Sequence, residues 1–127
     1  MKFSPERIDA QSISGYGPGW VAVGGEKIHD SVILGAQGLR TPWPVPSFEH
    51  LTAEHIAELA TLEAEVMLLG TGERTRFVHP RWLAPLLARR IGLEAMDSFA
   101  ACRTYNILAG EGRNVVLALI IAPPAPG

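Results

Sequence analysis

Val115-Val116-Leu117-Ala118-Leu119-Ile120-Ile121 is a run of seven apolar residues, opened by Asn114 and closed by Pro123-Pro124. A strand with one wet face alternates apolar and polar side chains; an unbroken apolar run predicts a strand covered on both faces. Asn114–Ile121 is therefore the expected core strand, and the segments before it decide what covers it. Ser98–Ala109 reads as a helix capped by Asp97 or Ser98. Leu93–Met96 reads as a short strand. Pro80–Ile91 reads as a helix, with Pro80 in its first turn and Gly92 at the C′ position. Trp82, Leu83, Leu86, Leu87 and Ile91 form its expected buried stripe, and Pro85 makes a 3₁₀ turn before the main helix the expected compromise. Glu65–Leu69 is a strand stopped by Gly70-Thr71-Gly72. Before it, Thr52 caps a helix carrying Glu54, Ile56, Leu59, Ala60 and Glu63. Strand–helix–strand–helix–strand over residues 65–121 predicts an α/β fold with helices on a sheet and right-handed crossovers between parallel strands.

The first half is built from strands and turns. Ile8–Ser14 alternates loosely and meets the Gly15–Gly19 cluster. Trp20–Val23 and Glu26–His29 flank a Gly24-Gly25 hairpin signal. Ser31–Leu34 is a further apolar run. Thr41-Pro42-Trp43-Pro44-Val45-Pro46 holds three prolines in five residues, which excludes helix and central strand and leaves an extended connection packed down by Trp43. The fold class expected is α/β: a compact three-layer domain over residues 1–127, with a central mixed β-sheet, a hairpin-rich N-terminal half and a βαβαβ C-terminal half.

The 127 residues suit one domain and bury enough surface for a core without metal or disulfide staples. Thirteen Gly and ten Pro stay below a low-complexity composition. With 11 basic and 13 acidic residues, net charge −2 and pI near 6.1, the chain lacks the basic footprint of nucleic-acid binding. Cys102 is the single cysteine, so no internal disulfide forms. The longest apolar run, Val115–Ala122, is far short of the roughly 20 residues that span a bilayer. The first residues lack an apolar signal core and carry Glu6 and Asp9, unlike an acid-poor transit peptide. The expected location is cytoplasmic.

Few residues point to catalysis. Gly15-x-Gly17-x-Gly19 precedes no helix and reads as a turn between strands. Gly70-Thr71-Gly72 lacks the Lys-Ser/Thr ending of a phosphate-binding loop, although it should leave the carboxyl end of a buried strand, where open α/β sheets hold ligands. Its free amides, and those of the Ser98 helix, could hold an anion, against the charge of Asp97. His50 and His55 are five apart and do not share a helix face; no metal set and no cofactor is expected. His79 reads as a helix cap and Cys102 as a buried small apolar residue.

The Ser98 helix is richer. Phe99, Cys102, Arg103, Asn106 and Gly110 fall on one stripe, and Ala101, Thr104, Tyr105 and Leu108 on another. The first mixes an aromatic, a thiol, a guanidinium and an amide, a composition suited to recognition. Either Arg103 and Asn106 satisfy nearby carbonyls such as those of Gly70–Gly72, or they face a partner. Glu111 and Arg113 either pair with each other or extend the same patch.

Gly70-Thr71-Gly72, followed by Met96-Asp97-Ser98-x-Ala100-x-x-x-Thr104-Tyr105-Asn106-x-Leu108-x-x-Glu111-Gly112-Arg113-x-Val115 and Ala118-Leu119, resembles a bacterial domain-of-unknown-function family. Its eukaryotic relatives include mitochondrial respiratory complex I assembly factor 3. The resemblance is strongest over residues 66–124. It implies a compact three-layer α/β fold with a mixed sheet. It also implies a non-catalytic protein that binds a protein partner and assists assembly of a respiratory or other membrane complex. The alternative expectation is a small anionic-ligand site, or a weakly marked enzyme. On either expectation Gly70, Thr71, Gly72, Arg103, Asn106 and Arg113 are the binding residues: arginines clamp the anion and loop amides steady its charge.

Overall fold

The computed structural model describes residues 12–123; the Ile8–Gln11 part of the first expected strand, and the segment read for targeting signals, lie outside them. Ile13–Gly17 (β1), Trp20–Val23 (β2) and Glu26–Ile28 (β3) form an antiparallel sheet in that order. Gly24 and Gly25, at φ 57° and 86°, make the β2–β3 turn, a backbone that glycine adopts without steric cost.

A second sheet has five strands in the order β5-β4-β8-β6-β7. They are Val32–Gly35 (β4), Arg40–Pro42 (β5), Val66–Gly70 (β6), Gly92–Met96 (β7) and Val115–Leu119 (β8). β6 runs parallel to β7 and to β8, and β4 runs antiparallel to β5 and β8. The sheet is mixed, and the apolar run lies in its middle. Residues Val115, Leu117, Leu119 and Ile121 pack on one face, with Val116, Ala118 and Ile120 on the other. Each Val, Leu or Ile of the run contributes about 1.5–3 kcal/mol on leaving water, so both covering layers are held through this one strand.

One layer contains Ala53–Leu59 (α1) and Ala84–Ala88 (α2), packing Ile56, Leu59 and Leu86 against Met67, Leu69, Val116 and Ala118. Ser98–Gly110 (α3) lies on the opposite face, beside the β1–β3 sheet, and packs Ala101, Cys102 and Tyr105 with Ile13, Val21, Leu68 and Leu117. Two covering layers and a central sheet make three. The crossover from β6 to β7 passes through α2; that from β7 to β8 passes through α3 on the other face. This reversal puts a topological switch point at the carboxyl ends of β6 and β8, where open α/β sheets form crevices.

Local chemistry sets the element ends. The Thr52 hydroxyl accepts from the His55 amide, and His55 Nδ1 accepts from Thr52 N–H at 3.0 Å, a reciprocal cap. α1 stops at Leu59, so Glu63 lies past it rather than on its stripe. The Thr61 hydroxyl takes the Glu58 carbonyl at 2.7 Å, ending the helical ladder, and Glu63 pairs with Arg89. Pro80–Leu83 is a 3₁₀ turn leading into α2, with His79 Nδ1 accepting from Arg81 N–H and Pro85 in the first turn. Gly92 is not the C′ residue of this helix; it begins β7. Arg90 takes that role at φ 59°, because its amide bonds Leu87 and the Ile91 amide bonds Leu86, closing a Schellman turn over the buried Ile91. The proline-rich stretch starts as edge strand β5 and then buries Trp43 and Val45. No helix among the described residues is long and apolar enough to cross a membrane.

Candidate functional site

The switch point is closed by a short polar knot. Gly70 ends β6 with no room for a side chain, since a Cβ there would stand 2.7 Å from Leu119 Cδ1 and 3.2 Å from Ser98 Cα. This close approach brings the first residue of α3 against β6. Ser98 Oγ donates to the Ile120 carbonyl at 2.7 Å and accepts from the Gly72 amide at 2.8 Å, while the Ser98 amide bonds the Gly72 carbonyl. The Thr71 amide bonds the Met96 carbonyl, and the buried Thr71 hydroxyl lies 2.7 Å from the Arg74 carbonyl and accepts from the Arg76 amide. Gly72 adopts φ 104°, the left-handed backbone of a tight turn. The Thr71 and Gly72 amides, read from the sequence as anion donors, thus have protein acceptors that hold the carboxyl ends of β6 and β7 to α3.

The face of α3 divides differently from the expected stripes. Ser98, Ala101, Cys102 and Tyr105 are buried, so Cys102 belongs with Ala101 and Tyr105 and not with the polar groups. Burial pushes the Cys102 thiol up to about 12, keeping it protonated and unreactive at neutral pH. The Tyr105 hydroxyl is raised to about 12 for the same reason and has no hydrogen-bond partner among the described residues. Phe99, Arg103 and Ile107, spaced by four, point outward; Ile107 is 61% exposed. Arg103 Nη1 donates to Tyr16 Oη at 3.2 Å, and the Tyr16 and Phe99 rings lie 4.9 Å apart. The hydrogen bond to Tyr16 moves the Arg103 pKa further up, so its charge is permanent.

Asn106 turns toward β1. Its Oδ1 accepts from the Ile13 amide at 3.0 Å and its Nδ2 donates to the Ile13 carbonyl at 2.7 Å. One carboxamide thus imitates a neighbouring strand across 93 residues of sequence. Its carbonyl partner is Ile13, not the Gly70–Gly72 loop. Arg113 sits past the far end of α3, 3.7 Å from Glu65, and does not pair with Glu111. Thirteen helical residues span about 20 Å, so Arg113 is separated from Gly70–Gly72 by the length of α3. The six expected residues therefore occupy three places: the Gly70–Gly72 knot, the Arg103 and Asn106 side chains along α3, and Arg113 at the opposite rim.

Beside the knot lies a cavity of about 240 Å³ between the β1–β2 hairpin, the start of α3 and the chain leaving β8. Val21, Cys102, Leu119 and Ile121 supply apolar wall; Tyr16 and Phe99 line it as well. The hairpin's part in it escaped the sequence reading, which treated residues 15–19 as a turn alone. Tyr16 between two glycines was the available signal. Among the described residues no group of three or more His, Cys, Asp or Glu is placed to hold a metal ion.

Comparison with known proteins gives matches along nearly the whole chain. The family described as "Protein of unknown function (DUF498/DUF598)" matches residues 13–120. NADH dehydrogenase (ubiquinone) 1 alpha subcomplex assembly factor 3 of Bos taurus is 34% identical over 119 residues, covering 92% of this chain and 61% of the bovine protein. The chain thus spans about three-fifths of that relative's length. An uncharacterised protein of Rhodobacter capsulatus is 34% identical over 125 residues, 97% of this chain and 92% of its own. The solution structure of a Mth938-like domain from Bordetella pertussis superposes with a TM-score of 0.80 at 31% identity, covering 98% of this chain and 94% of that one.

Proposed function

The chain belongs to the family of unknown function DUF498/DUF598, and on that premise we propose that it is a non-enzymatic protein-binding module that assists assembly of a respiratory or other membrane complex. Its relationship to an assembly factor extends over 92% of its length. The observation that carries the reading is the outward line Phe99, Arg103 and Ile107 on α3. Aromatic and arginine side chains are the groups enriched where proteins bind one another. Ser98 and Thr71, the polar side chains of the knot, are committed to backbone partners, which favours a docking role over chemistry.

Affinity capture from native cells tests this. Wild type is expected to recover subunits of one membrane complex, and Arg103→Glu and Ile107→Asp, both at exposed positions, to lose them. Recovery of the same proteins by all three forms, or of no specific protein by wild type, refutes the reading.

A further inference from the structure

The cavity at the switch point has a size and a rim that single out one kind of small molecule. A cavity of about 150 Å³ holds a six-carbon benzene ring. This one is larger, at about 240 Å³. It matches a flexible chain of about eight to ten carbons on the same scale. Val21, Cys102, Leu119 and Ile121 provide walls without a charge. A polar head on such a chain would sit at the rim, away from these walls.

The rim has a cation to receive it. Arg40, Arg76, Arg89 and Arg113 each pair with a glutamate, whereas Arg103 donates to the neutral Tyr16 hydroxyl. Tyr16 lines the cavity, and the Arg103 guanidinium, not itself a lining group, is tied to the Tyr16 hydroxyl. With its oxygen accepting from Arg103, the Tyr16 O–H still has its own proton to give. Two donors at the mouth of an apolar cavity suit a carboxylate, which accepts from both. Glu73 also lines the cavity; it repels such a head and leaves the Arg103 side as its seat.

We propose that this cavity binds a free unbranched aliphatic carboxylate of about eight to ten carbons, with its chain against Cys102 and Leu119 and its head on Arg103 and Tyr16. Phe99 and Arg103 serve both this site and the outward line of α3, whereas Ile107 does not line the cavity, so decanoate binding by Ile107→Asp tests the cavity apart from partner capture.

Amide NMR of the labelled chain titrated with hexanoate, octanoate and decanoate, each below its micelle concentration, tests the proposal. Shifts are expected at Gly72, Phe99 and Cys102, with affinity rising roughly three- to four-fold per added methylene until the cavity is full. Arg103→Gln should weaken decanoate about five- to ten-fold, the loss of a charge-assisted bond at a partly wet rim, and leave 1-decanol unchanged. Arg113→Gln, an equal charge change at the far end of α3, should alter neither. Ala122→Phe, at a lining position outside regular structure, should block both ligands; competition between decanol and decanoate checks the shared cavity without any substitution. No shifts at these amides, no dependence on chain length, or equal decanoate binding by Arg103→Gln and wild type overturns the proposal. Binding by decyltrimethylammonium as tight as by decanoate also overturns it.

Discussion

Replacing Asn106 with alanine isolates the contact that fastens the small sheet to the rest of the molecule. The wild-type carboxamide makes two hydrogen bonds, at 2.7 and 3.0 Å, to one residue of β1. A hydrogen bond of this kind contributes about 0.5–1.5 kcal/mol net, so the pair is worth about 1–3 kcal/mol. Both bonds are part-buried, so water replaces them incompletely in the variant and the upper half of that range is expected. For a chain of this length 1 kcal/mol corresponds to about 3–6 °C in Tm, and Asn106→Ala should melt roughly 6–18 °C lower. Urea unfolding should show a lower midpoint with an unchanged slope. Hydrogen exchange gives the local signature: the Ile13 amide should lose protection before the amides of β6 and β8 do. Arg103→Gln, on the same helix but exposed, should cost less than about 0.5 kcal/mol. A midpoint for Asn106→Ala within error of wild type, with Ile13 exchange unaltered, would mean that the carboxamide holds nothing in place.

The remaining expectations concern α3 and its neighbours. Ser98→Ala removes a donor to Ile120 and an acceptor for Gly72 at a buried position, and should cost about 2–3 kcal/mol by chemical denaturation; a loss below 0.5 kcal/mol in that assay, taken as about the noise of surface substitutions, refutes the knot. Tyr105→Phe deletes a buried hydroxyl without a partner among the described residues and should leave stability unchanged or raise it by up to about 1 kcal/mol; clear destabilisation would reveal a bond to that oxygen. Cys102 should resist a thiol reagent at pH 8 in the native state and react at once in urea. Its pKa is raised on folding from 9.0 to about 12, so the folded chain holds this proton more tightly than the unfolded one. The contribution of this group is intact below pH 9 and declines as pH rises toward 12, and Cys102→Ala should flatten that alkaline slope.

Patterns confined to one element were readable in the sequence. The Val115–Ile121 run identifies a strand covered on both sides, Thr52 and His79 cap their helices, and Gly24-Gly25 turns a hairpin, because each depends on neighbours within a few positions. The Pro85 compromise was likewise legible, since the ring excludes one backbone bond regardless of tertiary context. Arg90 was not: glycine is the usual choice at φ 59°, and only the burial of Ile91 makes the turn fall two residues before Gly92. The polar side chains of α3 resisted for another reason. Helical spacing groups Cys102 with Arg103 and Asn106, but which arc is covered depends on where β1 lies, and β1 reaches α3 from 93 residues away. A charge can pair with any opposite charge that the fold delivers, and nothing near Arg113 in the sequence marks Glu65 as its partner.

The position of β8 constrains how the molecule can come into being. It pairs with β4 on one side and β6 on the other, yet among the described strands it is the last to be synthesised. Until it emerges, the β4–β5 ladder and the β6–β7 ladder have no common member, and each presents an open edge able to recruit a foreign strand. A nascent chain stopped before Val115 is therefore two unclosed pieces rather than a smaller version of the whole. Joining them needs contacts between distant parts of the sequence, which makes closure slow and leaves the waiting halves as natural clients for a chaperone.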